Sequence, residues 1–385
     1  MRVCHIITRL IVGGAQENTL LTCEGLAARG HDVTLIAGPE TGPEGSLWAR
    51  ARRGGYELIA LGPLRRSVRP VADLRCVVEL RRILRTRRFD VVHTHSSKAG
   101  ILGRHAAWRE RAPIVVHTIH GMSFNRTQPA PVRWFYRLLE RRAAAWTHAL
   151  VTVADAMMAQ SVEAGLGPRE KFTTIRSGIE VECFVPDPQV RSAVRSAWGV
   201  PNDAVVVGTV ARLFRNKGYE DLLQALPRVA RQCPNTQFVW VGDGAGRTAY
   251  VRQVERFGLG GRLHLTGLVP PEEVARLLNG FDILVHASRW EGLPRAVVQA
   301  LLMEVPVVSY DNDGAPEVVE QDRTGELVPF GDTEGLAEGI IRLAASPERR
   351  LHLGQEGRRR CLEEFDHRRM VERIEGLYQR LRSRL

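Results

Sequence analysis

Two short runs in the second half of the chain gather the residue types that could hold a nucleoside diphosphate. Val210-Ala211-Arg212-Leu213-Phe214-Arg215-Asn216-Lys217-Gly218 joins an apolar strand pattern to a helical one. Arg212 offers a planar fork and Lys217 a point charge, and on one loop they can converge on a diphosphate. Fixed cations stabilise the charge on a leaving nucleoside diphosphate without moving a proton. Lys217 is one of three lysines, with Lys98 and Lys171, so general lysine abundance does not explain it. The second run, Ser288-Arg289-Trp290-Glu291-Gly292-Leu293-Pro294-Arg295, crosses a strand-to-helix turn and continues to Gln299. Glu291 is placed to accept hydrogen bonds from sugar hydroxyls. Amides around Gly292, Leu293 and Arg295 can face phosphate or sugar oxygens, and Gln299 can reach a ribose. The plainer alternatives are a solvated capping loop around Lys217 and a helix-dipole partner in Glu291.

The first half carries three further groups. Gly13 and Gly14 sit between a strand and a helix, where backbone amides can point at an anion; a tight turn is the structural alternative. The run is not GxGxxG, and no acid follows about 20 residues on in the usual manner, so a dinucleotide site is poorly supported. His93, His95 and Lys98 crowd the carboxyl end of a strand, where ligands collect in parallel sheets. A metal is disfavoured, because no third ligand is close in sequence to the two histidines. His120 follows a strand and precedes Gly121, so its imidazole is expected to contact a ligand, whereas His117, within the strand, is expected to be packed.

These residues need a scaffold that presents strand ends. Short apolar strands alternate with helical patterns from Val3 to Val153, and the alternation restarts at Val205. Continuous apolar strands separated by helices indicate parallel sheets covered on both faces. The fold class is therefore α/β, with two facing doubly wound Rossmann-like domains and an interdomain active-site cleft at the strand carboxyl ends. Expected boundaries are a first domain over 1–185, a linker over 186–200 punctuated by Pro186 and Pro188, and a second domain over 201–365. A C-terminal helix over 366–385 is expected to pack back towards the first domain.

Bulk properties exclude some classes. No stretch approaches the roughly 18 apolar residues of a membrane span, and the start does not read as a signal peptide. Six scattered cysteines without a CxxC pair suggest reduced thiols and a cytoplasmic protein. The net charge of +11 is almost wholly arginine, spread through both halves without aromatic interleaving, so nucleic acid is not expected as a partner. The cluster Arg81, Arg82, Arg85, Arg87 and Arg88 reads as a solvated helix face or as a face lying on anionic lipid. Val132 to Arg137 mixes aromatics with arginines, as an interfacial helix would, although core packing of the aromatics fits equally well.

Taken together, Arg212, Lys217-Gly218, Gly242-Asp243-Gly244, Leu265-Thr266-Gly267 and Glu291-Gly292-Leu293 resemble, in order and spacing, the retaining glycosyltransferases of GT-B fold, family 4. The resemblance spans nearly the whole chain. It implies a nucleotide-sugar donor, expected to be a UDP-sugar, and a glycan or lipid-linked acceptor in cell-surface polysaccharide or glycolipid synthesis. It implies that Arg212 and Lys217 hold the diphosphate, with Gly13 and Gly14 approaching the phosphate or acceptor. Glu291 would bind the donor sugar, and His120 would touch it near the reacting centre. His93, His95 and Lys98 fall on the acceptor side. No metal or other cofactor is implied, and the location is cytoplasmic, peripheral on the membrane if the basic surface binds it. The family's second glutamate is replaced here by Gln299, which keeps an acceptor and adds donors. A nucleotide-sugar epimerase on the same fold is the rival enzyme, recognised by epimerisation without acceptor. A basic membrane-surface or nucleic-acid binding module is the rival of another class. Specificity is expected in loops 39–56 and 121–131, which carry no readable code.

Overall fold

The computed structural model describes residues 1–124 and 128–385, so part of the 121–131 loop lies outside the described residues. The chain divides into two compact units, Met1–Gly178 with His367–Leu385, and Ile179–Asp366.

In the first unit, seven parallel strands run β1 (Arg2–Arg9), β2 (Asp32–Gly38), β3 (Glu57–Ala60), β4 (Val91–His95), β5 (Ile114–Ile119), β6 (Ala149–Thr152) and β7 (Phe172–Thr174). Their spatial order is β3-β2-β1-β4-β5-β6-β7, with the reversal between β1 and β4. Such a switch point opens a crevice at the strand carboxyl ends. One face of the sheet packs Val3, Ile7, Val91 and Val116 against helix Gly14–Ala28 and the C-terminal helix His367–Arg382. The other packs Cys4, Ile6, Val92 and Val115 beneath helices Pro70–Arg87 and Ser97–Arg109. The C-terminal helix is held tightly. A methyl group on Gly25 would lie 2.5 Å from Val371, and Glu375 accepts from Arg29 at 2.6 Å and pairs with His31 at 2.9 Å.

In the second unit, β8 (Val205–Val210), β9 (Thr236–Val241), β10 (Leu263–Gly267), β11 (Ile283–His286), β12 (Val307–Asp311) and β13 (Gly325–Pro329) form a six-stranded parallel sheet ordered β10-β9-β8-β11-β12-β13. Its switch point lies between β8 and β11. Tyr219, Leu223, Trp240, Val285 and Ile340 belong to its core.

The expected linker over 186–200 is instead largely helix Pro188–Trp198, part of the second unit. Asp187 caps it by accepting from the Gln189 and Val190 amides, Pro188 occupies its first turn, and Gly199 stops it at φ 67°. Pro188, one of the prolines that suggested a linker, is a helix start. Arg195 on this helix is buried, pairs with Asp282 and donates to the carbonyls of Asn202 and Ala204. The division between units falls at Gly178, not at 185.

Candidate active site residues in the two units

Lys217 and Glu291 meet in the second unit, at the carboxyl ends of β8 and β11. Lys217 Nζ donates to Glu291 Oε1, and both side chains are only about a fifth exposed. The loops carrying them are stitched together. Asn216 O accepts from Arg289 N at 2.9 Å and from Ser288 Oγ at 3.2 Å. Asp313 Oδ2 accepts from Glu291 N at 2.9 Å. Gly218 has φ 74°, and a Cβ there would lie 1.7 Å from Ala287 O, so only glycine lets the loop close on β11. Arg212 is exposed, with its guanidinium 5.1 Å from the centre of the Phe214 ring. Gly242 and Asp243 brace this loop: Asp243 O accepts from Leu213 N at 3.0 Å, and a Cβ on Gly242 would meet Ala211 O at 2.2 Å. Gly292 and Leu293 are buried, while Arg295 and Gln299 are half-buried on helix Arg295–Leu302.

Burial raises the affinity of Glu291 for a proton, but the charge of Lys217 and its hydrogen bond oppose this and hold the carboxyl below its usual range. Glu291 is therefore ionised at neutral pH and suited to accept from hydroxyls. His286 ends β11 with Nε2 3.7 Å from Glu291 Oε1. Burial lowers its pKa to about 4, with Lys217 adding to the effect and Glu291 opposing it, so the ring is neutral. The sequence reading missed His286 and Asp313; a polar residue ending an apolar strand was the available signal for the first.

In the first unit, His120 lines a cavity of about 270 Å³ with Ser96, Ser97, Thr118, Gly121 and Glu140. A second cavity of about 410 Å³ holds Arg9, Arg66, Lys98, Ser97 and Tyr136, and a third of about 740 Å³ shares Arg9, Arg66 and Tyr136 with it. Ala15 lines the first cavity and Gln16 the second, so the start of helix Gly14–Ala28 does face these spaces. Gly13, however, has φ 167°, extended backbone open to any residue, so the turn does not itself require a glycine. Ser96, at φ 60°, is a strained position between the same two cavities, and its hydroxyl lies 2.7 Å from Thr8 Oγ1.

Of the three acceptor-side candidates, Lys98 lines the second cavity, where it also pairs with Asp73. His93 and His95 are correctly placed at the end of β4 but lie in the core. Residues 93 and 95 on β4, 118 on β5 and His5 on β1 share the sheet face that the C-terminal helix covers, so the imidazoles of His5, His93 and His95 stack there instead of lining open space. His93 Nδ1 meets Tyr378 OH at 2.6 Å and its Nε2 meets Thr118 Oγ1 at 2.7 Å. His5, His93 and His95 could in principle gather round an ion. Both His93 nitrogens, His5 Nδ1 and His95 Nε2 are already in hydrogen bonds, which an ion would have to break. His117 is packed as expected, on Thr94 Oγ1 at 2.9 Å.

The arginine cluster is partly neutralised: Arg81 and Arg85 share Glu110, and Arg87 pairs with Glu57. Trp134 and Phe135 face solvent instead of packing inwards, as do Val71 and Leu74 on helix Pro70–Arg87. No helix among the described residues is long and apolar enough to cross a membrane.

Residues 13–178 match the model of the glycosyl transferase 4-like domain, and residues 190–360 that of glycosyl transferases group 1. The chain is 26% identical over 382 residues to the Escherichia coli UDP-Gal:alpha-D-GlcNAc-diphosphoundecaprenol alpha-1,3-galactosyltransferase, covering 98% of this chain and 96% of that one. It is 29% identical over 321 residues to the putative glycosyltransferase EpsD of Bacillus subtilis, covering 82% and 83%. Anabaena HepE in complex with UDP-glucose superposes with a TM-score of 0.83 at 21% identity, over 98% of this chain and 99% of that one. With the Lys217 and Glu291 loops meeting at the sheet's switch point, the chain is a glycosyltransferase of GT-B fold and family 4 type.

Proposed function

We propose that the protein transfers a sugar from a UDP-sugar to a lipid-linked glycan acceptor, with retention of anomeric configuration, in cell-surface polysaccharide or glycolipid synthesis. The observation that carries this reading is the Lys217–Glu291 pair at the carboxyl ends of β8 and β11, with Arg212 on the same loop as Lys217. Arg212 and Lys217 would bind the diphosphate and stabilise its charge as the glycosidic bond breaks. Ionised Glu291 would hold the sugar's hydroxyls, His120 would contact the sugar near its anomeric carbon, and Gln299 would bind the ribose. The two cations do the work that a metal does in other transferases, so no metal is required.

The cavities of the first unit support an anionic acceptor. Arg9, Arg66 and Lys98 line them together with the exposed Val68 and Phe135, which suits a diphosphate joined to an apolar tail. The Escherichia coli relative is named for such an acceptor and for a uridine donor. The same exposed side chains would let the protein rest on an anionic membrane from the cytoplasmic side.

The test is a transfer assay in excess EDTA with UDP- and GDP-sugars, against polyprenyl-diphosphate and neutral glycan acceptors. Transfer from the UDP-sugar to the diphosphate-linked acceptor, with the product's anomeric coupling matching the donor's, is expected. Transfer only from GDP-sugars, inversion, loss in EDTA, or equal use of the neutral glycan would each refute the corresponding part. Epimerisation of the donor without acceptor would favour an epimerase.

A further inference from the structure

His120 is reached from inside the protein by a line of imidazoles. His5 Nδ1 lies 2.9 Å from His95 Nε2, and His95 Nδ1 lies 3.1 Å from His120 Nε2. His5 and His95 are buried, on neighbouring strands β1 and β4. Burial holds both well below the usual histidine range, with His93 adding to the effect at His95, so each ring is neutral and carries one N–H.

With one proton per ring, the two bonds can point only one way at a time. Either His5 donates to His95 and His95 to His120, or both bonds are reversed. The inner end decides between them. His5 Nε2 is buried and has no hydrogen-bond partner among the described residues. In the reversed direction that atom is an N–H without an acceptor. In the outward direction it is a lone pair without a donor, and orphaned buried N–H groups are the rarer and costlier case. The outward direction therefore wins.

We propose that His5 and His95 are positioning residues that fix the tautomer of His120, with its Nε2 accepting from His95 and its Nδ1 carrying the proton. Nδ1 of His120 is then a defined hydrogen-bond donor. The line ends at an unbonded buried nitrogen, so it is a clamp on one tautomer, not a route for protons to solvent. His93 is not part of it, since both its nitrogens are bonded elsewhere. The functional half of the inference rests on the role proposed for His120, whereas the tautomer itself does not.

Nitrogen-15 NMR of histidine-labelled protein at pH 7.5 reads the tautomer directly, with His120 assigned through His120→Gln. A protonated Nδ1 and a bare Nε2 are expected in the unmodified protein, and an Nε2–H form would overturn the proposal without any variant having to fold. His95→Phe keeps a ring and removes both nitrogens. It should leave His120 as a tautomer mixture and lower kcat by about tenfold with donor KM within about twofold. His95→Gln can still accept from His5 and donate to His120, and should recover most of that loss. An unchanged His120 tautomer in His95→Phe, Gln rescuing no better than Phe at equal Tm, or activity tracking a bound metal would each defeat it. Full activity in His120→Ala would refute the proposed role of His120 and leave the tautomer result standing.

Discussion

The two units put similar switch points to opposite electrostatic use. In the second unit the strand ends carry charge: Arg212 is exposed, and Lys217 and Glu291 are paired close to solvent. In the first unit the corresponding strand ends carry neutral imidazoles stacked inside the core, with His93 and His95 ring centres 4.4 Å apart. A charged pair near water can exchange its partner for a ligand at small cost. A buried neutral network gives rigidity and orientation, because each polar atom left without a partner is expensive. In the proposed mechanism the first arrangement takes up a diphosphate, and the second holds a single ring still.

The sharpest way to break this contrast is to remove the charges. Lys217→Ala and Glu291→Ala should each lower transfer by about 10²–10³-fold, as loss of a fixed stabilising group at a reacting centre does. Tm should fall as well, since each change leaves the partner's charge unpaired at a site only about a fifth exposed, so the rates are compared below the variants' melting transitions. A normal rate in either variant would remove it from the proposed site. The complementary change, Gly218→Ala, should act on the fold. Its Cβ would collide with Ala287 O in a left-handed backbone, costing about 2–4 kcal/mol and unfolding the second unit first. Chemical denaturation monitored separately in each unit would show it, and an unchanged midpoint would mean the loop can shift without cost.

Acid should separate the units from the other side. Burial lowers the pKa of His5 to about 3 and pushes His93, His95 and His117 down as well, and in the second unit it takes His286 to about 4. Above pH 6.5 these rings are neutral in both folded and unfolded chains, and their contribution is constant. Below it the unfolded chain binds protons that the buried rings refuse, so stability falls as pH falls, by up to about 1.4 kcal/mol per pH unit for each ring. Four such rings against one predict that β1, β4 and β5 lose protection before β8 and β11 between pH 6.5 and 5. Hydrogen exchange corrected for intrinsic rates would read this, and equal loss in both sheets would refute it.

The same contrast explains what the sequence disclosed. The alternation of strands and helices was legible because most strands are buried on both faces and rich in apolar residues. The loop pair of the second unit was legible too, since charge on a short loop between apolar runs has few uses. His93 and His95 looked like acceptor contacts because strand-end histidines usually face a crevice. That they are roofed by Tyr378, some 285 positions later, depends on a tertiary contact that no local pattern carries. Helix Pro188–Trp198 was hidden by its own start signal, since Asp187-Pro188 reads equally as a loop. At the sheet edges β7 has only three residues, and β13 mixes a glycine, a glutamate and a proline into its five, so neither shows an apolar run.

Gln299 offers the smallest and most discriminating change. It lies half-buried in helix Arg295–Leu302, eight positions after Glu291, where the family resemblance leads one to expect an acid. A glutamate accepts from two ribose hydroxyls with charge assistance, roughly doubling the strength of each bond. Glutamine accepts through one oxygen and leaves its NH₂ needing a partner. If the ribose only donates to this position, Gln299→Glu should lower donor KM by about threefold with kcat unchanged, because the contact is equally good in ground and transition states. If the NH₂ group instead gives a hydrogen bond to the nucleotide, the same substitution should raise KM. In either case kcat should stay within about twofold, since transition-state charge is assigned to Arg212 and Lys217. A large fall in kcat would mean that position 299 senses the reacting centre, and the division between binding and charge stabilisation within the second unit would have to be redrawn.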